Sequence, residues 1–221
     1  MYPIFAIAIV GAYLLGSIPF GILIAKAHGK DLRKIGSGNI GATNIARALG
    51  KKWAYICFAL DVLKGMIPML AVMPFATSKS AQGNEVTALL LWLTVGCVAI
   101  LGHIFPIYLK FKGGKGVSTS FGIALGLWPY YSVCALIAIT VWIVVVLIWR
   151  YVSLASIVAS VTFPIMLTAM IFLKSEWEFS TLWPLLIPAV VIPVMVIIRH
   201  RENIQRLLSG TENKIREKKN Q

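Results

Sequence analysis

The chain has 221 residues, of which 58% are hydrophobic, and its mean hydropathy is +0.82. This composition excludes an ordinary soluble domain and indicates a membrane protein with several spans. A net charge of +13 would suggest nucleic-acid binding in a soluble protein, but here it indicates cationic cytoplasmic loops and attraction to anionic lipid headgroups.

Apolar segments lie along the chain at residues 3–25, 53–76, 86–109, 117–149, 152–173 and 182–198. No basic region precedes the first segment, so it predicts a retained helix rather than a cleaved signal peptide. The fourth segment would form a helix of about 50 Å, whereas the hydrocarbon core of a bilayer is about 30 Å thick. Pro129 predicts a break inside it, which leaves a short helix at 117–127 and a full span at 131–149. We therefore predict an all-α polytopic membrane protein with seven transmembrane helices.

The positions of the cations predict the orientation of these spans. With seven spans and the N-terminus outside, the cytoplasmic segments are 26–52, 110–116, Arg150 and the tail from residue 199, and they hold 18 of the 21 Lys and Arg residues. A six-span chain would place Arg150 and the tail outside, which the positive-inside rule disfavours. We therefore predict an outside N-terminus and a cytoplasmic C-terminus.

The first polar segment, residues 36–50, reads GSGNIGATNIARALG. Glycines let backbone N–H groups approach an anion closely, and hydroxyl and amide side chains add donors. A helix that begins near Ala42 or Thr43 would add its positive end. These features favour a phosphate site over the alternative, a flexible linker. The candidate substrate-binding residues are Ser37, Asn39, Thr43, Asn44 and Arg47.

The second polar segment, residues 110–119, reads KFKGGKGVST and leads into the short helix. Lys115 offers a point charge beside glycine amides, a combination that binds phosphate. The spacing GxxxxGK[ST] of a Walker A loop is absent. Taken alone, the segment also fits a cationic turn of the positive-inside kind. The candidate substrate-binding residues are Lys112, Gly113, Gly114, Lys115, Gly116, Ser118 and Thr119.

The third polar segment, residues 199–212, opens a basic tail at 199–221 that follows a membrane domain at 1–198. His200 and Asn203 are three residues apart and share one face if the last span continues as a helix. With Ser37 they are the candidate catalytic residues, and we expect the tail to contribute to the site. Taken alone, the segment is more typical of a basic amphipathic tail lying on lipid headgroups.

Three further polar residues lie inside apolar segments. Asp61 and Lys64 are spaced to pair on one helix face, and such a pair is either functional or a structural support for the site. His103 is interpreted as a packing residue. The cysteines show neither CxxC nor Cys/His spacing, so we predict no disulfide and no metal site.

Together these segments resemble a known enzyme family. The matching stretches, spread over residues 36–214, are GSGNIGATNIARALG, DVLKG, GHIFPIYLKFKGGKGVST and RHRENIQRLLSGTENK. In this order they resemble the PlsY family, the bacterial membrane glycerol-3-phosphate acyltransferases that use acyl phosphate as the donor. The resemblance implies a seven-helix fold in the inner membrane, with the motifs on its cytoplasmic face. It also implies lysophosphatidic acid (1-acylglycerol 3-phosphate) and phosphate as products, in phospholipid biosynthesis.

The resemblance also assigns roles to individual residues. The first polar segment is similar to the family's glycerol-phosphate loop, and GGKG at 113–116 is similar to its second phosphate loop. His200 and Asn203 match the functional pair of the family's third motif. Glu212 matches a glutamate with a structural role, so we place it with the supporting residues Asp61, Lys64 and His103.

The residue chemistry agrees with this assignment. Glycerol 3-phosphate and acyl phosphate each carry a phosphate, and two separate phosphate loops are predicted. Because acyl phosphate is already activated, we predict direct attack by the glycerol hydroxyl, without cofactor or metal. Either the donor's own phosphate or His200 takes the proton. Beyond these substrates and membrane lipid, we predict no nucleic-acid partner and no required protein partner.

The competing hypothesis is a membrane carrier for an anionic phosphate compound. Carriers place their substrate sites near the membrane midplane, on broken helices and often in two related halves. In this sequence the polar groups cluster towards one face and no internal repeat is evident. This pattern favours the enzyme.

Overall fold

The computed structural model describes residues 2–215, and this part of the chain is helical, without a strand. It divides into two compact units, Met1–Trp128 and Pro129–Gln221. The α-helices of the first unit are α1 (Tyr2–Ser17), α2 (Phe20–Ala27), α3 (Ala42–Leu49), α4 (Lys51–Ala76), α5 (Glu85–Ile104) and α6 (Val117–Gly126). Those of the second unit are α7 (Ser132–Trp149), α8 (Val152–Leu173), α9 (Phe179–Leu182), α10 (Leu186–Arg199) and α11 (Arg201–Leu208). Short 3₁₀ helices lie at Leu32–Lys34, Lys79–Ala81, Ile107–Leu109 and Trp183–Leu185. Residues 216–221 of the predicted tail lie outside the described part.

The first apolar segment, predicted as one helix, is broken in the structure. α1 ends at Ser17 and α2 begins at Phe20, with Pro19 between them. Proline lacks a backbone N–H and its ring clashes with the preceding turn, so a helix does not run through it undisturbed. The Ile18 carbonyl at the break accepts a hydrogen bond from Lys64 Nζ at 2.9 Å. The break is therefore anchored to α4.

Helices α4 and α6 pack with their backbones in close approach. A Cβ atom on Gly122 would overlap the Val62 carbonyl, and one on Gly65 would overlap the Thr119 carbonyl. Small residues let helices in membranes approach this closely. Because α6 follows directly after the GGKG turn, this packing fixes the point at which that turn ends.

A buried hydrophobic cluster supports the first polar segment. Ile40 and Ile45 of the segment pack with Ala25, Leu32 and Cys57. Leu109, just before the second polar segment, packs against the same cluster. Burial of these side chains provides the free energy that holds an irregular loop against the helices.

In the second unit, α7 and α8 form a helical pair. The Trp142 indole donates to Ser156 Oγ at 3.2 Å, and the Tyr131 ring meets the Phe163 ring edge to face at 5.0 Å. The tail returns to the turn between the two helices, because the N–H of Ile215 donates to the Arg150 carbonyl at 2.8 Å.

Six helical segments of residues 2–215 are long and apolar enough to cross a membrane, namely Tyr2–Ala27, Lys51–Ala76, Glu85–Leu109, Ser132–Trp149, Val152–Leu173 and Phe179–Arg199. Helix α6 has ten residues and is therefore about 15 Å long, half the thickness of the hydrocarbon core. The all-α polytopic class is confirmed, as is the helix break around Pro129. The number of crossings and their orientation stay predictions.

We expect a reporter fused after Gln221 to lie in the cytoplasm and one inserted at Gly83 to lie outside, because this arrangement keeps most cations cytoplasmic. Gly83 suits an insertion, since it lies in an exposed turn between α4 and α5. Alkaline phosphatase and green fluorescent protein fusions report the two locations. A C-terminal reporter that is active outside the cell would contradict the seven-span topology.

Candidate active site

The first polar segment is organised by Asn44, whose side chain is 1% exposed. Its Nδ2 lies 2.9–3.0 Å from the carbonyl oxygens of Leu32, Ile35 and Asn39, which share its two hydrogens, and its Oδ1 accepts from the Ser37 N–H at 3.1 Å. Buried backbone groups of an irregular loop would cost free energy without such partners. The Asn44 amide is directed into the loop, which differs from the substrate contact predicted for it.

The exposed side of the same segment carries a hydroxyl and a guanidinium. Gly36 has a φ of 57° and Gly38 a φ of 67°, in the left-handed region that glycine adopts without strain. A Cβ atom on Gly36 would meet Arg47 Cδ, so the arginine side chain lies directly beside this turn. Ser37 and Arg47 are both exposed, and the structure therefore brings these two predicted site residues to the same turn.

Helix α3 begins at Ala42, at the predicted position. The turn before it is stabilised by Asn39, whose Oδ1 accepts from the Gly41 N–H at 3.0 Å. Thr43 is exposed in the first helical turn. The N–H groups and the dipole at the start of a helix favour an anion there, so the local structure is suited to phosphate.

The second polar segment is held by backbone hydrogen bonds to the end of α5. The Gly113 N–H donates to the Ile104 carbonyl and the Gly114 N–H donates to the His103 carbonyl, both at 3.1 Å. A Cβ atom on Gly114 would overlap the His103 ring, so this position requires glycine. Gly116, with a φ of 91°, then ends the turn at the start of α6. Lys115 is half-buried between these two glycines.

The two polar segments are tied together by Arg33. Its Nη2 donates to the Lys112 carbonyl at 2.7 Å, and its backbone N–H donates to Asp31 Oδ1 at 3.1 Å. Sequence analysis did not select Arg33, because it is one of several cations in the 26–52 segment. The only signal in the sequence was its position three residues before Gly36, where the first glycine-rich turn begins.

A buried ion pair lies beneath the second polar segment. Lys64 Nζ is 2.6 Å from Asp61 Oδ1, which confirms the predicted pairing, and His103 Nδ1 is 3.7 Å from the same oxygen. Thr119 is fully buried and its Oγ1 donates to the Asp61 carbonyl at 3.1 Å. Its hydroxyl serves the contact between α6 and α4, which differs from the substrate contact predicted for Thr119. Ser118, one residue earlier, is half-buried.

In the second unit, the third polar segment begins at a helix break. α10 ends at Arg199 and α11 begins at Arg201. The sequence had suggested a helix that continues past the last span, but in the structure this helix is interrupted at His200. His200, between them, donates from Nδ1 to the Val196 carbonyl at 2.7 Å. Because a carbonyl oxygen only accepts, the neutral ring carries its proton on Nδ1 and its lone pair on Nε2.

Glu212 organises the rest of the third polar segment. Its Oε1 accepts from Asn203 Nδ2 at 2.6 Å and from Ser153 Oγ at 2.8 Å, and its Oε2 accepts from Arg206 Nε at 2.7 Å. Burial alone would raise the pKa of Glu212, but these hydrogen bonds outweigh burial and hold the pKa below its ordinary value of 4.5. Asn203 is thereby oriented by a carboxylate. Ser153 lies within a predicted span, and no sequence pattern pointed to it.

Comparison with known proteins places this arrangement in context. A family model described as glycerol-3-phosphate acyltransferase matches residues 6–210. A glycerol-3-phosphate acyltransferase of Geotalea daltonii is 45% identical over 208 residues, which cover 94% of this chain and 95% of the relative. Another, of Aquifex aeolicus, is 46% identical over 211 residues, which cover 93% of this chain and 96% of the relative.

Solved structures are similar as well. The crystal structure of PlsY (YgiH), an integral membrane glycerol 3-phosphate acyltransferase, in its glycerol 3-phosphate form has a TM-score of 0.80 at 40% sequence identity, and the match covers 96% of this chain and 95% of that chain. The lysophosphatidic acid form has a TM-score of 0.78 at 40% identity and covers 95% of this chain and 94% of that chain.

We expect Glu212→Gln to destabilise the second unit by about 1–3 kcal/mol at pH 7, because charge-assisted hydrogen bonds are lost. The unfolded carboxyl titrates near 4.5 and the folded one lower, so this stabilisation is fully present above pH 4.5 and disappears as the pH falls through the folded pKa. Melting temperatures of both proteins in detergent, measured from pH 7 to pH 3, should therefore converge in acid. Glu202→Gln, on the exposed side of α11, is the control. A gap between wild type and Glu212→Gln that stays constant down to pH 3 would contradict the ionised network.

Proposed function

The chain belongs to the glycerol-3-phosphate acyltransferase family, and we propose that its acyl donor is an acyl phosphate. It transfers a fatty acyl group to glycerol 3-phosphate and forms lysophosphatidic acid, the two compounds named for the similar PlsY structures. With acyl phosphate as the donor, the second product is inorganic phosphate. We further propose that it works in the bacterial inner membrane with its polar segments on the cytoplasmic side, a location that the distribution of its cations supports.

The observation that carries the donor proposal is the hydrogen bond from Arg33 to the Lys112 carbonyl. It ties the chain just before the first glycine-rich segment to the second. The first segment contains one cation, Arg47, and the second contains three, of which Lys115 lies within the GGKG turn. A transfer from acyl phosphate to glycerol 3-phosphate must hold two phosphates near each other. Two adjacent anion-binding turns meet that requirement, whereas a donor without a phosphate would leave one of them without a ligand group.

We propose that substrate phosphates contact the groups that the structure leaves at the surface of both segments. In the first these are Ser37, Asn39, Thr43 and Arg47, and in the second Lys112, Gly113, Lys115 and Ser118, to which we add the buried backbone of Gly114 and Gly116 on either side of Lys115. For Asn44 and Thr119 we propose a scaffold role in place of the predicted substrate contact, because their buried side chains donate to backbone carbonyls. Arg47 and Lys115 carry full charges, and charge-assisted hydrogen bonds are about twice as strong as neutral ones.

The proposed chemistry is a direct acyl transfer. A hydroxyl oxygen of glycerol 3-phosphate attacks the acyl carbonyl carbon, the new ester bond forms, and the C–O bond to the phosphate breaks. The hydroxyl proton passes to the departing phosphate. Binding both phosphates brings the reacting atoms together, and the cations stabilise the charge that develops on the leaving group.

Roles in orientation are proposed for His200 and Asn203 of the second unit. The Asn203 amide, held by Glu212, neither gains nor loses a proton at neutral pH and is suited to orienting a hydroxyl or an oxyanion. His200 is held through Nδ1 by the Val196 carbonyl, and we propose that its imidazole orients the attacking hydroxyl by a hydrogen bond. The donor phosphate stays the proposed base.

Purified protein in detergent, supplied with acyl phosphate and glycerol 3-phosphate, is expected to form lysophosphatidic acid and phosphate in equal amounts. EDTA should leave the rate unchanged, because residues 2–215 contain no group of three or more His, Cys, Asp or Glu side chains arranged to hold a metal. Mass spectrometry and a phosphate assay measure the two products. A carrier would release no phosphate, and activity lost to EDTA and restored by magnesium would contradict the metal-free mechanism.

We expect Arg47→Ala and Lys115→Ala to lower kcat/KM about 10- to 100-fold each, because a charged hydrogen bond to phosphate contributes about 1.5–3 kcal/mol. Lys34→Ala is the matched control. Its side chain is 84% exposed and pairs with Asp31 at 3.8 Å, and a surface pair of this kind contributes little. Steady-state kinetics on protein with an unchanged melting temperature measure the effect. Wild-type kcat/KM in either variant would remove that residue from the site.

The His200→Gln variant is expected to keep measurable turnover with an unchanged pH–rate profile, because the donor phosphate and not the imidazole accepts the proton. A general base contributes about 10²–10⁴-fold to the rate. If His200 is the base, kcat therefore collapses by that factor and the limb of the profile near pH 6–7 disappears. The measurement is kcat between pH 5 and pH 9 for both proteins.

A further inference from the structure

Three titratable side chains outside the proposed substrate contacts form a buried cluster in the first unit. Asp61 is 3% exposed, Lys64 2% and His103 3%. Lys64 Nζ lies 2.6 Å from Asp61 Oδ1. The same oxygen is 3.7 Å from His103 Nδ1, an electrostatic contact that is longer than a hydrogen bond. The carboxylate thus faces a cation on its own helix and a ring on α5.

The cluster connects several helices. Lys64 Nζ donates to the Ile18 carbonyl at the break between α1 and α2 and lies 5.6 Å from the centre of the Phe20 ring. The Asp61 carbonyl receives the Thr119 hydroxyl from α6. The pair therefore has direct contacts at the break between α1 and α2 and with α6, the helix that follows the GGKG turn.

The His103 ring is also the surface on which the GGKG turn rests. A Cβ atom on Gly114 would overlap this ring, and the Gly114 N–H donates to the His103 carbonyl at 3.1 Å. The turn therefore contacts His103 in two ways. Its backbone donates to the His103 carbonyl, and the lack of a side chain on Gly114 lets the turn pack directly against the His103 ring. This contact therefore sets the position of Lys115, the next residue in the chain.

Stability alone does not account for such a pair. Replacing a buried ion pair by neutral residues is often neutral or stabilising, because removing two charges from water is costly. Separating the two partners would leave an uncompensated buried charge, so the pair holds its two side chains together.

We propose that Asp61, Lys64 and His103 are positioning residues that act on the reaction through the GGKG turn, by setting where the Lys115 ammonium meets a substrate phosphate. The inference rests on the proposed function, because it assumes that Lys115 binds phosphate. The Asp61–Lys64 pair fixes the carboxylate, the carboxylate orients the His103 ring, and the ring supports Gly114.

The first test is a mutant cycle on the neutralised pair, Asp61→Asn with Lys64→Gln. We expect this double substitution to lower kcat/KM at least tenfold. We also expect the factor by which Lys115→Ala lowers kcat/KM to be at least tenfold smaller in this background than in the wild-type background, because a misplaced ammonium contributes less to phosphate binding. Arg47→Ala should cost the same in both backgrounds. Wild-type kinetics in the neutralised variant, or an equal cost of Lys115→Ala in both backgrounds, would overturn the proposal.

A matched control separates positioning from general damage. Trp92 of α5 is buried and its Nε1 donates to the Met69 carbonyl of α4 at 2.9 Å. Trp92→Phe therefore removes a buried contact between the same two helices away from the GGKG turn. It is expected to lower the melting temperature and leave both KM values and kcat unchanged. If Trp92→Phe reproduces the kinetic loss of the neutralised pair, the loss is structural and the proposal fails.

A second cycle does not depend on folding of the neutralised pair. Gly114→Ala is expected to lower kcat/KM sharply in the wild-type background and much less in a His103→Ala background, where the ring is gone and the methyl group has room. An equal cost in both backgrounds would overturn the role of the ring. The wild-type assay is run alongside. If the wild-type protein releases no phosphate, the acyl-phosphate function is refuted. If the wild-type protein is active but the substitutions in each cycle have additive effects, only the positioning role is refuted.

Discussion

The Asp61–Lys64 ion pair is the contact around which the first unit is arranged. Its charged atoms are 2.6 Å apart and both side chains are almost fully buried. An unpaired charge is costly within a membrane protein, so the two residues stay together. Lys64 also reaches the carbonyl at the α1–α2 break, and the Asp61 carbonyl receives the Thr119 hydroxyl. The ion pair thus connects α4 with α6 and with the break that follows α1. The polar segments lie next to the ends of helices that the pair connects.

The two polar segments solve the same physical problem in different ways. Irregular backbone beside a membrane needs partners for its N–H and C=O groups. In the first segment one buried side chain, Asn44, supplies them to three carbonyls and one N–H group. In the second, the turn bonds back to the carbonyls of residues 103 and 104. Both solutions place a cation beside a glycine: the Arg47 side chain lies against Gly36, and Lys115 directly follows Gly114.

Much of the architecture was predictable, because it depends on composition and on local backbone chemistry. The 117–149 segment is too long to cross the hydrocarbon core of a bilayer as one helix, and this mismatch in length predicted the break that the structure shows near Pro129. The start of α3 and the pairing of Asp61 with Lys64 followed from glycine placement and helical spacing. The break at Pro19 was missed, since the first apolar segment has the length of one ordinary span and raised no such conflict. The interruption at His200 was missed because neither glycine nor proline marks it.

The sequence by itself determined the chemistry that is present: glycine-rich turns, two cations beside them, and a histidine and an asparagine three residues apart. Only the tertiary structure decided where each donor points. Asn44 and Arg47 lie on the same short helix, yet one amide is buried among loop carbonyls and the guanidinium is exposed. Arg33 meets the Lys112 carbonyl across 79 residues of chain. Residue type sets what a group is able to bind, but the packing of distant segments sets which partner comes within 3 Å of it, and local sequence patterns contain no record of that packing.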